Sequence, residues 1–106
     1  MTDLERLSGL MGLCVRARRA VFGEDGCLKA VRGGECRLLL LDSEASKATA
    51  EKYTFACRAA GVPLAVLPPG QLWKATGKPG KAMAVTDAGF ADSMQKMIPI
   101  QPTNEE

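Results

Sequence analysis

The side chains that could do covalent or metal chemistry in this chain are four cysteines, Cys14, Cys27, Cys36 and Cys57, spaced 13, 9 and 21 positions apart. No two form the closely spaced pair that zinc sites use, and the sequence contains no histidine. The missing imidazole removes the commonest general base and metal ligand, so neither a Ser-His-Asp nor a Cys-His site can be built within the chain. Cys14, Cys27 and Cys57 sit in apolar patterns and read as buried, reduced thiols; disulfides or a redox role are the other readings. Asp42, Lys52 or a cysteine remain as candidates for catalysis, but they form no base or metal constellation. The expectation is a chain with no enzymatic activity, no metal and no cofactor.

The charges carry more information. The chain has 14 Lys and Arg against 12 Asp and Glu, a net charge of +2. From Arg16 to Arg37 there are six basic residues against Glu24, Asp25 and Glu35, a local +3. From Lys74 to Lys81 there are three lysines and no acid, another +3, so the remainder sums to −4. Two basic segments in a nearly neutral protein are expected to share one basic face, as nucleic-acid binders do.

The elements that must position these residues are legible in the pattern. At 106 residues, with 46% hydrophobic and 25% charged side chains, the chain has the size and composition of one soluble domain. No apolar run approaches the ~20 residues of a membrane helix. No export signal is visible, so a cytoplasmic protein is expected. Thr2 and Glu5 form a possible capping box before an amphipathic helix, Asp3 to Ala17. Ala20 to Phe22 reads as a short strand, and Glu24 to Arg32 as a helix stopped by Gly33-Gly34. Gly26 inside that helix is unfavourable by ~1 kcal/mol relative to alanine and suggests a close approach.

The unbroken run Leu38 to Leu41 predicts a central strand covered on both faces. A helix from Lys47 to Ala60 follows, with Thr49, Tyr53, Ala56, Cys57 and Ala60 inward and Gly61 as its stop. Leu64 to Leu67 reads as a strand, Gln71 to Ala75 as a short helix and Gly77 to Lys81 as a flexible basic loop. Ala82 to Val85 is the last strand. Asp87 caps a last helix with Phe90, Met94 and Met97 on one side. Strands separated by helices predict an α/β protein, a three-layer α/β/α sandwich. Residues 1–98 form the expected single domain and residues 99–106 a loose tail.

Four stretches carry a family resemblance: LMGLCVRARR from Leu10, GEDGCLKAVRGGECRLLLLDSEAS from Gly23, GVPL from Gly61 and AVTDAGFA from Ala84. Together they resemble the superfamily of ribosomal proteins L-seven-Ae and L-thirty-e. They look most like its small bacterial homologues encoded beside translation initiation and transcription elongation factors. The resemblance implies a four-stranded mixed sheet and binding of structured RNA, ribosomal or kink-turn-like, by a monomeric, ribosome-associated protein. It places the contacts on Gly23 to Lys29, Asp42 to Ser46 and Gly77 to Lys81. The implied RNA-binding residues are Gly23, Glu24, Asp25, Gly26, Lys29, Asp42, Lys78, Pro79 and Lys81.

The residue chemistry agrees with that placement. A helix N-terminus offers free N–H groups to phosphate, Gly23 allows close approach, and the lysines neutralise backbone charge. There is one departure. Kink-turn binders of the family carry Asn-Glu two and three positions after the glycine, where this chain has Asp25-Gly26 with Lys29 retained. The resemblance therefore implies weakened kink-turn specificity. A protein-interaction module is the alternative, with the Leu38–Leu41 sheet edge or Trp73 as the adhesion point.

Overall fold

The structure, a computed structural model, describes residues 2–98. The expected tail, residues 99–106, lies outside the described residues. The elements run α1 (Asp3–Arg16), β1 (Ala20–Phe22), α2 (Glu24–Arg32), β2 (Leu38–Asp42), α3 (Lys47–Ala60), β3 (Leu64–Leu67), α4 (Gln71–Thr76), β4 (Ala82–Val85) and α5 (Ala88–Gln95). The sheet order is β1-β4-β2-β3. β4 runs antiparallel to both β1 and β2, whereas β2 and β3 are parallel. The sheet is mixed and four-stranded, as expected.

The leucine run explains the layers. Every residue of β2 is buried. Side chains alternate across a strand, so Leu39 and Leu41 join the core under α2 and α3. Leu38 and Leu40 join the core under α1, α4 and α5. With β4 on one side and β3 on the other, β2 is an interior strand. The expectation of an adhesive sheet edge at Leu38–Leu41 is therefore corrected: the ladder bonds of that strand are already taken.

Local chemistry sets the helix ends. The Thr2–Glu5 capping box is present in both directions, at 2.8 Å and 3.1 Å. Ser46 caps α3 and Asp87 caps α5. Gly61, at φ 71, ends α3 in the left-handed conformation that glycine adopts without steric cost. The inner face of α3 differs in part from expectation. Tyr53, Ala56 and Cys57 are buried, but Thr49 is only half-buried and Ala60 is exposed. Ala50 packs on the core near the start of the helix, and Val62 packs there just beyond its end. On α5, Ala91 and Met94 are buried, with Phe90 and Met97 packed beside them.

Gly26 packs α2 tightly on β1. A Cβ at that position would lie 3.0 Å from Cγ1 of Val21. The close approach suggested by the sequence is thus made by this chain's own strand. All four cysteines are buried and free of disulfides. Burial, with the neighbouring Cys36 and Cys27, pushes the Cys57 thiol up to about 12, and burial pushes Cys36 up to about 11. At neutral pH these are thiols and weak nucleophiles. Among the described residues, no helix is long and apolar enough to cross a membrane.

The two-sided burial of β2 makes a quantitative expectation. Leu40→Ala should lower unfolding free energy by about 2–5 kcal/mol, because Leu40 is wholly buried. Val66→Ala on β3, where the side chain is 38% exposed, should cost no more than about 1 kcal/mol. Urea denaturation monitored by circular dichroism measures both; equal losses would show that Leu40 is not packed between layers.

Candidate functional site

The register of the sheet gathers four connections at one end. Phe22 pairs with Met83, Leu41 with Ala82, and Asp42 with Leu67. The C-terminal ends of β1, β2 and β3 therefore lie beside the N-terminal end of β4. Gly23, residues 43–46, residues 68–70 and residues 77–81 converge there. Gly23 and Glu24 share a cleft of about 190 Å³ with Thr49, Tyr53, Gly80 and Lys81. Three segments far apart along the chain, each implied by the resemblance, meet at this end.

The first of them is an open helix N-terminus. Gly23 sits at φ 88 and ψ 144, with nothing within 4 Å of where a Cβ would stand. Its lack of a side chain answers to backbone conformation and leaves open space in front of the helix. No side chain caps α2, in contrast to Thr2 on α1, Ser46 on α3 and Asp87 on α5. The first N–H groups of α2 thus keep the partial positive charge that attracts anions. Glu24, in that first turn, forms an ion pair with Lys52 on α3. Asp25 is exposed.

The second segment is organised by Asp42. It is the last residue of β2 and only 3% exposed. Its Oδ1 accepts from the Glu44 N–H at 2.7 Å and its Oδ2 from the Gly70 N–H at 3.1 Å. Its own N–H donates to the Lys81 carbonyl at 2.8 Å. One residue thus fixes the β2–α3, β3–α4 and α4–β4 connections. Burial works to raise the Asp42 pKa, but the Glu44 and Gly70 N–H groups and the Lys81 charge outweigh it. The carboxyl is held below its ordinary value. Both oxygens of Asp42, expected from the resemblance at the RNA surface, accept N–H groups within the chain, so the side chain positions the connections around it.

The third segment is the loop 77–81. Lys78, Pro79 and Lys81 are exposed, and the Lys78 N–H donates to Thr76 Oγ1 at 3.1 Å. Lys29 is exposed on α2, along a shallow depression with Asp25 and Arg32. Gly26 instead faces Val21.

The single basic face read from the charge distribution is also corrected. Arg16, Arg18, Arg19, Arg32 and Arg37 lie at the end of the sheet opposite the loops. α1 and α2 both run away from the loop end, Arg37 bonds to Val85 at the end of β4, and Arg19 bonds to Thr86 just beyond it. Trp73, the adhesion point of the alternative reading, is 64% exposed; what sequence reasoning missed is the groove of about 720 Å³ that it lines with Leu4, Pro69, Gln71 and Lys74. The juxtaposition of α1 and α4 that forms it leaves no local sequence signal.

No family model matches the chain. The RNA-binding protein YlxQ of Bacillus subtilis is 38% identical over 91 residues, covering 84% of this chain and 91% of that protein. A solved structure of a protein of unknown function from Bacillus halodurans superposes with a TM-score of 0.81 at 32% identity, over 86% of this chain and 94% of that one. The Giardia lamblia 15.5kD RNA binding protein shares the fold, with a TM-score of 0.71 at 16% identity, over 92% of each chain.

The Asp42 contacts predict a pH-dependent stability. Asp42→Asn keeps one acceptor but turns a donor toward one of the two N–H groups, which should cost about 1–3 kcal/mol at pH 7. Because the folded carboxyl is depressed, this contribution is complete above the ordinary carboxylate value. It is lost as pH falls through the lower, folded value. The gap between wild type and Asp42→Asn should therefore narrow progressively as pH falls below the ordinary carboxylate value. Chemical denaturation at stepped pH checks this; a gap that stays constant through the acid range would contradict it.

Proposed function

Given that the chain belongs to the family of the bacterial RNA-binding protein YlxQ, we propose that it is a non-enzymatic protein that binds structured RNA at the loop end of its sheet. The observation that carries this reading is the uncapped N-terminus of α2, standing in open space beside Lys81 and the 77–81 loop. Backbone N–H groups at a helix end position a phosphate, and the exposed lysines of the loop neutralise its neighbours. The family name RNA-binding and the fold shared with the Giardia lamblia protein support the same reading. Within it, Gly23, Glu24, Asp25, Lys29, Lys78, Pro79 and Lys81 form the contact surface, while Asp42 holds the loops in place. We further place the protein with the translation machinery, on ribosomal or kink-turn-like RNA, on the strength of the sequence resemblance.

Kink-turn selectivity is expected to be weak. Sheared G·A pairs expose guanine edges, and each good base contact contributes ~1–3 kcal/mol of discrimination. Gly26 has no carboxylate to offer such an edge, and Asp25 offers acceptors without an amide donor. Phosphate contacts survive this change, so affinity is less affected than selectivity.

Two measurements test the reading. In the first, a Lys29→Ala, Lys78→Ala double variant should bind RNA more weakly and flatten the salt dependence by ~0.9 unit of slope for each phosphate it no longer neutralises. Unchanged affinity would reject this surface. In the second, wild type should prefer a kink-turn RNA over its Watson–Crick-paired counterpart by less than about tenfold, ~1.4 kcal/mol. Asp25→Asn with Gly26→Glu should widen that preference. Val21→Ala belongs in the same variant, since a Cβ at position 26 meets Val21 at 3.0 Å. A wild-type preference of several hundredfold would overturn this account of α2.

A further inference from the structure

We infer that the end of the sheet opposite the loops is a second phosphate-binding surface, built from Arg16, Arg18, Arg19, Arg32 and Arg37, so that the protein contacts two separate segments of RNA. The inference rests on the RNA-binding reading and extends it to a face that reading does not use. The segments that form this end, residues 16–19, 32–37, 61–63 and 86–87, carry five arginines against two acids, Glu35 and Asp87. Asp87 is committed to capping α5, its Oδ2 accepting from the Phe90 N–H at 2.9 Å. All five arginines are exposed. None of them takes part in the ion pairs Arg6–Asp3 and Lys52–Glu24 seen among the described residues.

The backbone beneath these arginines is fixed. The Arg19 N–H donates to the Cys14 carbonyl and the Arg18 N–H to the Val15 carbonyl, each at 3.0 Å. These two bonds close α1 in the turn where glycine ordinarily follows the helix. Here that position is Arg18, at φ 60, the one residue other than glycine with positive φ among the described residues. An arginine in a conformation that favours glycine is a local cost with no packing return, since the side chain is exposed. Such outliers point to a use for the side chain.

The Arg19 carbonyl then accepts from the Thr86 N–H at 2.9 Å, Thr86 Oγ1 at 3.1 Å and Cys14 Sγ at 3.3 Å. The Arg37 N–H donates to the Val85 carbonyl at 2.7 Å. Arg19 and Arg37 therefore flank the end of β4 from its two neighbouring strands, with backbones about 10 Å apart. Guanidinium groups on a fixed frame suit phosphate, which they grip with two parallel hydrogen bonds. The loop end lies at the other end of the same strands, so the two surfaces meet separate segments of RNA.

The test compares wild type, the Lys29→Ala, Lys78→Ala variant and an arginine variant (Arg18→Gly, Arg19→Gln, Arg37→Gln). Each is titrated with a labelled kink-turn RNA between about 50 and 200 mM salt, with thermal unfolding measured in parallel. The arginine variant should drop about two to three units of salt slope and bind at least about tenfold more weakly at low salt. Its unfolding temperature should not fall, because glycine relieves the strain at position 18. Combining the two variants should add their effects, since the sites are remote. An arginine variant that keeps the wild-type slope overturns the inference, whatever its stability, and leaves RNA binding at the loop end standing. It would direct attention to an acidic protein as the partner of this end. A wild type that shows no salt-dependent RNA binding overturns the RNA-binding reading itself.

Discussion

Strand β2 has water on neither face and a bonded neighbour along each edge, and most of the structure follows from that. Its four leucines divide between two cores, one under α2 and α3 and the other under α1, α4 and α5. A strand so placed cannot end in a charge unless that charge is compensated within the fold. Asp42 is such a charge, and its carboxylate is compensated by N–H groups of two different connections and by Lys81. The same bonds that make the buried carboxylate tolerable hold the loop end of the sheet in one arrangement. Stability and positioning here have a single physical origin.

The sheet also separates charge by residue type. Its loop end carries an open helix N-terminus and the lysines of the 77–81 loop. Its other end carries arginines on a rigid turn and on strand starts. Lysine on a loop tip is a strongly hydrated point charge, whereas arginine on a fixed frame presents oriented donor pairs. In the proposed function the first end adapts to backbone phosphate; in the inference drawn from the arginines, the second end grips phosphate with paired donors. Neither arrangement needs a base, a metal or a reactive thiol. The cysteines are buried and pushed toward high pKa, and act as small apolar side chains; Cys14, Cys27 and Cys36 also hydrogen-bond nearby carbonyls.

Gly26 illustrates how one residue answers to two demands. Set against kink-turn binders of the resembled superfamily, it is a missing carboxylate. In the fold, it is the point where α2 comes down on β1, with Val21 against it. A side chain at this position requires Val21 to move. In the proposed function, the specificity of the α2 surface is therefore coupled to the packing of β1, the shortest strand in the sheet. Trp73 leaves an exposed indole on α4, and the groove beside it takes in Pro69 and Gly70 of the β3–α4 connection.

The elements were legible in the amino-acid order because the signals for them are local. The Thr2–Glu5 box, the leucine run, Gly61 after α3 and the Asp87 cap each act within a turn or a strand. Their physics does not depend on the rest of the chain. The alternation of helices and strands was likewise enough to imply three layers. Which residues meet across the chain was not legible, and it took the folded arrangement to decide it. Asp42 reads in sequence as an accessible loop residue; pairing with β3 and β4 buries it and gives it Gly70 and Lys81, 28 and 39 positions away. The basic stretch from Arg16 to Arg37 reads as one patch beside the lysines. The direction of α1 and α2 instead carries its arginines to the far end of the sheet. Encounters of this kind are set by strand order and register, and those emerge from the packing of the whole chain rather than from any segment of it.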